Sequence, residues 1–250
     1  MMKLIGACAT DIGTTREVNQ DAILYRVAGK GANQFAVLAV CDGIGGLDRG
    51  EIASGIVMQG INAWYDDVLG WIDIETVEAA VLYAHLKDMA DQLNSAVWEY
   101  REENGIHTGT TMSLLMIIRN SYYIIQVGDS RVYSFFDGEL YQLTVDASVS
   151  RMKDGRMKSY LDNYMGKDAE LWFSTMNGEI RKDEMFLACS DGLYHRLTRE
   201  DAQDLYNGMV NDKKAEAMCG ELIKRMMERG ERDNISAGAI RVAEKKNFFK

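Results

Sequence analysis

Five aspartates sit where apolar runs begin or end. Asp42 closes "FAVLAVCD" before Gly43, Asp191 closes "MFLACSD" before Gly192, and Asp129 closes "YYIIQVGD". Asp21 in "NQDA" and Asp233 in "ERDNIS" each stand immediately before a run that reads as a strand. One Asp-Gly at a strand end is most often a turn; five carboxylates at strand ends form a pattern that a sheet can gather in one place. Acids gathered in this way repel one another, and an unpaired buried carboxylate is costly, so the set needs a counter-charge. Its donors are all oxygen, with none of the His or Cys spacing that zinc prefers, which points to Mg²⁺ or Mn²⁺ with retained waters. Gly43 suits such a site, because a residue without a side chain lets its carbonyl approach an ion. The three histidines, His85, His107 and His195, are too scattered for His-centred chemistry.

The elements that must position these acids read mostly as strands. "LIGACAT", "AILYRV" and "FAVLAVCD" are strands near the N-terminus, the last an apolar run of the kind buried on both faces. From Glu51 to about Glu103 apolar residues recur at three- and four-residue steps, which predicts two helices divided at "YDDVLGWID". The stretch from Thr111 to Thr144 carries two hairpin signals, "RNS" and "FDGE", and predicts four antiparallel strands. Residues 146–168 lose periodicity and read as an exposed loop or short helix. "ELWFSTM" and "EMFLACSDG" return to strand, "REDAQDLYNGM" and "DKKAEAMCGELIKRMMERG" are helical, and "NISAGAIRV" closes as a strand. Strands at both ends with helices between them favour one mixed domain over 1–250, with a frayed tail from about 244.

Composition excludes several functions. The chain has 250 residues, 47% hydrophobic and 26% charged, enough for a large core and too apolar for disorder. A net charge of -10 argues against a surface that grips nucleic acid or anionic lipid, so any phosphate chemistry needs a local neutraliser. Cys8, Cys41, Cys189 and Cys219 have no C-x-x-C spacing and read as free thiols of a reducing, cytoplasmic compartment. No stretch reaches the roughly 20 apolar residues of a spanning helix, so membrane insertion is not expected. "GIGG" lacks the lysine of a nucleotide-binding loop. Proline is absent, and the sequence offers no reason for it.

In chain order, "DIGTTREVNQDA", "VCDGIGGLDRGEIAS", "GTT" at Gly109, "QVGDSRVYSF", "QLT" with Asp146, "FLACSDGLY" and "RDNISAGAI" resemble the metal-dependent serine/threonine protein phosphatases, the PPM or type 2C family, of bacterial type. The resemblance implies an α+β fold, a four-layer α-β-β-α sandwich of two mainly antiparallel sheets flanked by helices. It implies hydrolysis of phosphoserine and phosphothreonine by direct attack of a metal-bridging hydroxide, with two Mn²⁺ or Mg²⁺ ions and a third in bacterial members. Carried over by position, Asp42 bridges the ions, the Gly43 carbonyl meets one, and Asp191 and Asp233 hold the other. Asp21 acts through water, Asp129 serves the third metal, and Arg16 clamps the substrate phosphate; Gln20 and Asn234 support the set. Phosphorylated proteins, those of a Ser/Thr kinase in the same pathway, are the implied substrates, and a monomer is expected. The chemistry agrees: phosphate monoesters have very high uncatalysed barriers, and a metal pair about 3.5 to 4 Å apart yields hydroxide near neutral pH. Arg16 offers a planar fork to two phosphate oxygens, and Arg131 in "GDSR" is expected to brace its loop.

The sequence departs from the family in places. Ile44 stands where animal relatives carry a histidine that protonates the leaving oxygen, "LTxDHS" appears as "LTVDAS", and the flap-like segment at about 146–168 is short. Two rival readings are a catalytically silent relative used for regulation or binding, and a phosphatase of small phosphate esters. The complete set of Asp42, Asp191 and Asp233 favours an active enzyme.

Overall fold

The computed structural model describes residues 2–44, 48–153 and 156–244. The first strands are β1 (Met2–Asp11), β2 (Asp21–Lys30) and β3 (Asn33–Asp42), followed by helices α1 (Gly50–Trp71) and α2 (Ala79–Asn104). Next come β4 (Met112–Ile118), β5 (Ser121–Val127), β6 (Arg131–Phe136) and β7 (Glu139–Gln142), then the pair β8 (Ser148–Lys153) and β9 (Arg156–Leu161). The chain continues through β10 (Ser174–Glu179), β11 (Met185–Cys189), α3 (Asp191–Tyr194), α4 (Arg199–Gly208), α5 (Asp212–Glu228) and β12 (Ile235–Glu244).

β3 shows how the layers arise. Its interior is buried at every position from Gln34 to Cys41, as its unbroken apolar run predicts. Successive side chains of a strand leave opposite faces: Phe35, Val37, Ala39 and Cys41 pack under α1 and α2, while Ala36, Leu38 and Val40 meet the second sheet through Phe186, Ala188 and Ile240. One sheet runs β10-β5-β4-β3-β2 and the other β1-β12-β11-β6-β7, and every strand pairing among the described residues is antiparallel. α5 covers β1 and β12 on the outer face. The result is the expected four-layer sandwich.

Local readings hold with three corrections. The helical break falls at 72–78 rather than across "YDDVLGWID", because Tyr65 and Val68 lie on the buried face of α1 and carry it through to Trp71. "ELWF" is not strand, and β10 begins at Ser174. The segment read as a loop or short helix contains the hairpin β8-β9, paired from Ser148 to Lys153; its residues alternate, but the alternation is polar and escapes a hydrophobicity pattern. The hairpin at Arg119 and Asn120 forms as predicted, with Arg119 at φ 52° tied by its guanidinium to the carbonyls of Ile74 and Val77 at 2.7 and 2.8 Å. The tail from about 244 and part of "GIGG" lie outside the described residues.

Candidate functional site

The β2-β3 pair brings two of the acids face to face. In its register Asp21, the first residue of β2, stands opposite Asp42, the last of β3. Beyond them the Gly43 N–H donates to the Gln20 carbonyl at 3.0 Å. A Cβ on Gly43 would lie 2.5 Å from the Gly50 carbonyl carbon and oxygen, so only glycine lets β3 run this close to the start of α1. The "GTT" segment clamps the same point. Thr111 Oγ1 accepts from the Asp42 N–H at 2.9 Å, and Thr110 Oγ1 donates to the Asp42 carbonyl at 2.9 Å.

β11 and β12 supply the next pair from the other sheet. Asp191 opens α3 directly after β11, and Asp233 precedes β12. A Cβ on Gly192 would lie 2.2 Å from the Asn234 carbonyl, so glycine is required where these two segments cross. Ser190 Oγ donates to Asp21 Oδ2 at 2.6 Å and accepts from the Ser236 N–H at 3.0 Å, a bridge between the sheets that the sequence did not reveal. Asn234 donates its N–H to Asp233 Oδ1 at 2.8 Å. Its carboxamide serves the neighbouring loop, accepting from the Gln20 N–H at 2.9 Å and donating to the Ile12 carbonyl at 2.8 Å. That loop carries Arg16, whose Nη2 meets Asp233 Oδ2 at 2.6 Å. Gln20 Nε2 approaches Glu51 Oε2 at 3.4 Å, so this position has an acid nearby without being one.

These segments wall a cleft of about 570 Å³ lined by Arg16, Gln20, Asp42, Gly43, Asp129, Asp191 and Asp233. Asp21 is buried behind Asp42. The far wall is Arg131, Asp146, Tyr194 and the root of the β8-β9 hairpin at Ser148, Tyr160 and Leu161. Arg131 does brace its loop: Nη2 and Nε donate to Asp146 at 2.7 and 3.0 Å, Nη1 donates to the Tyr133 hydroxyl at 3.0 Å, and the guanidinium lies 3.6 Å over the Tyr194 ring. That Asp146 and Tyr194 are the partners of Arg131 is not legible in the sequence, where the Arg in "GDSR" and the Asp in "LTVDAS" stand in separate motifs. His195 is exposed on the rim of the cleft.

The electrostatics are those of anions crowded out of water. Burial, with Asp21 and Asp191 nearby, raises the Asp42 carboxyl well above its ordinary range. Burial pushes Asp21 up to about 6 against the opposing hydrogen bond from Ser190. Burial and the charge of Asp191 push Asp129 up to about 6, and burial raises Asp191. Asp21 Oδ1 is buried without a hydrogen-bond partner among the described residues. Among the described residues no three His, Cys, Asp or Glu side chains stand close enough to hold one ion between them, and Asp233 is paired with Arg16. The donor set is nevertheless suited to a hard cation: oxygen throughout, short of hydrogen bonds, and mutually repelling.

Comparisons with known proteins identify the family and the fold. The profile of the protein phosphatase 2C family matches residues 13–236. The chain is 28% identical over 205 residues to the serine/threonine protein phosphatase PstP of Mycobacterium tuberculosis, a match covering 78% of this chain and 37% of that protein. It is 26% identical over 212 residues to the serine/threonine phosphatase stp of Listeria welshimeri, covering 78% and 80%. The crystal structure of the PstP catalytic domain, in complex with two manganese ions, superposes with a TM-score of 0.74 at 25% identity over 98% of this chain and 100% of that one. No helix among the described residues is long and apolar enough to cross a membrane.

Proposed function

The chain belongs to the protein phosphatase 2C family and is a serine/threonine protein phosphatase; on that premise we propose which of its residues do the work and with what help. Asp42, the Gly43 carbonyl, Asp191 and Asp233 hold two divalent cations, Mn²⁺ or Mg²⁺, with Asp21 acting through water and Asp129 serving a third. When bound, such ions lower the pKa of coordinated water and offset the charge of phosphoryl oxygens. The observation that carries this reading is the meeting of Asp42, Asp129, Asp191 and Asp233 with Arg16 around one cleft.

The remaining roles belong to the chain itself. Arg16, 40% exposed and beside Asp233, presents a planar fork to two oxygens of the substrate phosphate. Gln20 and Asn234 position the acids: Asn234 fixes Asp233 through its backbone N–H and the Arg16 loop through its carboxamide. Ser190 and the two threonines of "GTT" hold Asp21 and Asp42 at their stations. No side chain at Ile44 can protonate the leaving oxygen, so that proton comes from water or from the substrate side. The substrates are phosphoproteins, made by a serine/threonine kinase of the same pathway, and the enzyme acts as a monomeric single domain. Its free cysteines, three of them buried, suit a reducing cytoplasm.

The test is hydrolysis of a phosphothreonine peptide after EDTA treatment and readdition of Mn²⁺ or Mg²⁺. Loss and recovery of turnover is the expected result. Full activity in EDTA would overturn the metal assignment, and turnover of an aryl phosphate without any of the peptide would indicate a small-ester enzyme.

A further inference from the structure

The space between the two sheets is closed at one flank and open at the other. On the β1-β2 side Leu4, Cys8, Ile23 and Tyr25 fill it. The opposite flank ends in β7 and β10, each the outermost strand of its sheet. There β6 turns Val132 into the core, so Ser134 and Phe136, two and four positions on, face the same way, and the register sets Tyr141 of β7 opposite Ser134. From the other sheet Met176 of β10 stands opposite Ile124, itself a core residue. These are inward positions, yet Tyr141 is 49% and Met176 39% exposed. Between them lies a groove of about 520 Å³, lined also by Tyr122, Phe136 and Leu143. It shares no lining residue with the catalytic cleft. β11 separates the two: Glu184 precedes that strand at the groove and Asp191 follows it at the cleft, roughly 20 Å away along extended chain.

The charges at the groove indicate what covers it. Glu184 is buried, accepting from the Arg181 N–H at 2.7 Å and from the Ser134 hydroxyl. Its cation among the described residues is Arg181, 4.0 Å away, with a side chain 59% exposed and a guanidinium 5.2 Å over the Phe136 ring. Glu179, at the end of β10, is exposed and pairs with no cation among the described residues. Two carboxylates thus meet one loosely held guanidinium, beside rings whose faces attract cations. The outer edges of β7 and β10 add unpaired backbone groups, a template for a further strand.

From this geometry we infer that the open flank docks a basic, extended segment of a partner protein. The segment adds a strand at β10, sets apolar side chains between Tyr141 and Met176, and directs a lysine or arginine to Glu179 and Glu184. A polar segment leaves the inward positions wet, and an acidic one meets two carboxylates. This inference goes beyond the phosphatase reading and does not depend on it.

The experiment uses the full chain with Mg²⁺ and fluorescein-labelled peptides of alternating Val-Arg, Val-Glu or Ser-Arg, followed by anisotropy and by hydrogen exchange. The Val-Arg peptide is expected to bind about tenfold tighter than either of the others at low salt, and to slow exchange across β10. Tyr141→Ser and Glu179→Lys, both at exposed positions that tolerate substitution, each weaken it about fivefold and leave turnover of an aryl phosphate unchanged. Asp129→Asn, at the cleft, leaves peptide affinity unchanged. Equal affinity for the Val-Arg and Ser-Arg peptides would overturn the inference, since charge alone would then account for binding. Unchanged exchange across residues 174–179 would do the same, as would binding lost in Asp129→Asn and kept in Glu179→Lys, which puts the peptide in the cleft. A dimer in sedimentation that Tyr141→Ser disrupts would also overturn it, by making a second copy of this chain the occupant.

Discussion

Two buried carboxylate sites in this molecule are built in opposite ways. In the first turn of α4, facing the end of α5, Asp201 is 1% exposed and receives Arg225 Nη1 at 2.9 Å, Arg229 Nη2 at 2.9 Å and the Thr198 N–H at 2.9 Å. Although burial opposes it, the two arginines and Thr198 hold its carboxyl down at about 2. At the cleft, Asp21 is buried and Asp42 half-buried, neither is paired with a cation among the described residues, and both are raised. Arg131 stands close by, yet its donors go to Asp146 and the Tyr133 hydroxyl. The first site stabilises the fold from within; the second leaves its carboxylates without a paired cation among the described residues, as the proposed metal site requires.

That contrast breaks most visibly at Asp42. Asp42→Asn is expected to lower metal-dependent turnover on the order of 10³-fold, about 4 kcal/mol of barrier, while raising the melting temperature in EDTA by about 4 °C. A phosphatase assay and calorimetry on one preparation check both, and a drop in melting temperature would dissolve the comparison. Asp201→Asn should show the reverse pattern. The arginines are about one-third exposed, so the loss is about 2 kcal/mol of stability, below the range for a fully buried pair, with kcat changed less than about twofold. Urea unfolding and the same assay test it.

Arg16→Ala should raise KM about tenfold with a smaller change in kcat, because phosphate binding is lost more than chemistry. An unchanged KM returns Arg16 to the role of partner for Asp233 alone. The smallest effect is the pH dependence in EDTA. Asp21 and Asp129, raised to about 6 from an ordinary value near 3.8, bind protons in the folded state before the unfolded chain does. The stability they contribute is full below about 4 and lost as pH rises through 6. Asp201 runs the other way, its contribution present above about 4 and lost as pH falls towards 2. The melting temperature in EDTA should therefore be about 3 °C higher at pH 5 than at pH 7.5, with Asp21→Asn reducing the difference and leaving the share of Asp129.

What could be read early depended on whether the signal was local. Asp42 and Asp191 were visible because an apolar strand that ends in Asp-Gly interrupts its own pattern, and the hairpin at Asp137–Gly138 announced itself by its turn residues. The β8-β9 hairpin escapes the sequence reading because its alternating residues are largely Ser, Arg, Met and Lys, which give hydrophobic periodicity little to register. The roles of Ser190 and Tyr194 escape the sequence for a different reason: each acts through a partner outside its own motif, as Ser190 does through Asp21, 169 positions away.

The sequence by itself determined the donor types, the strands that deliver them, their order, and the excess of carboxylate at the strand ends. Only the tertiary structure decided which acids become neighbours, that Asp233 pairs with an arginine 217 positions away, and that Arg131 is spent on Asp146. Composition and periodicity are properties of neighbouring residues, whereas these contacts arise when two sheets pack and bring the ends of unrelated strands to one edge.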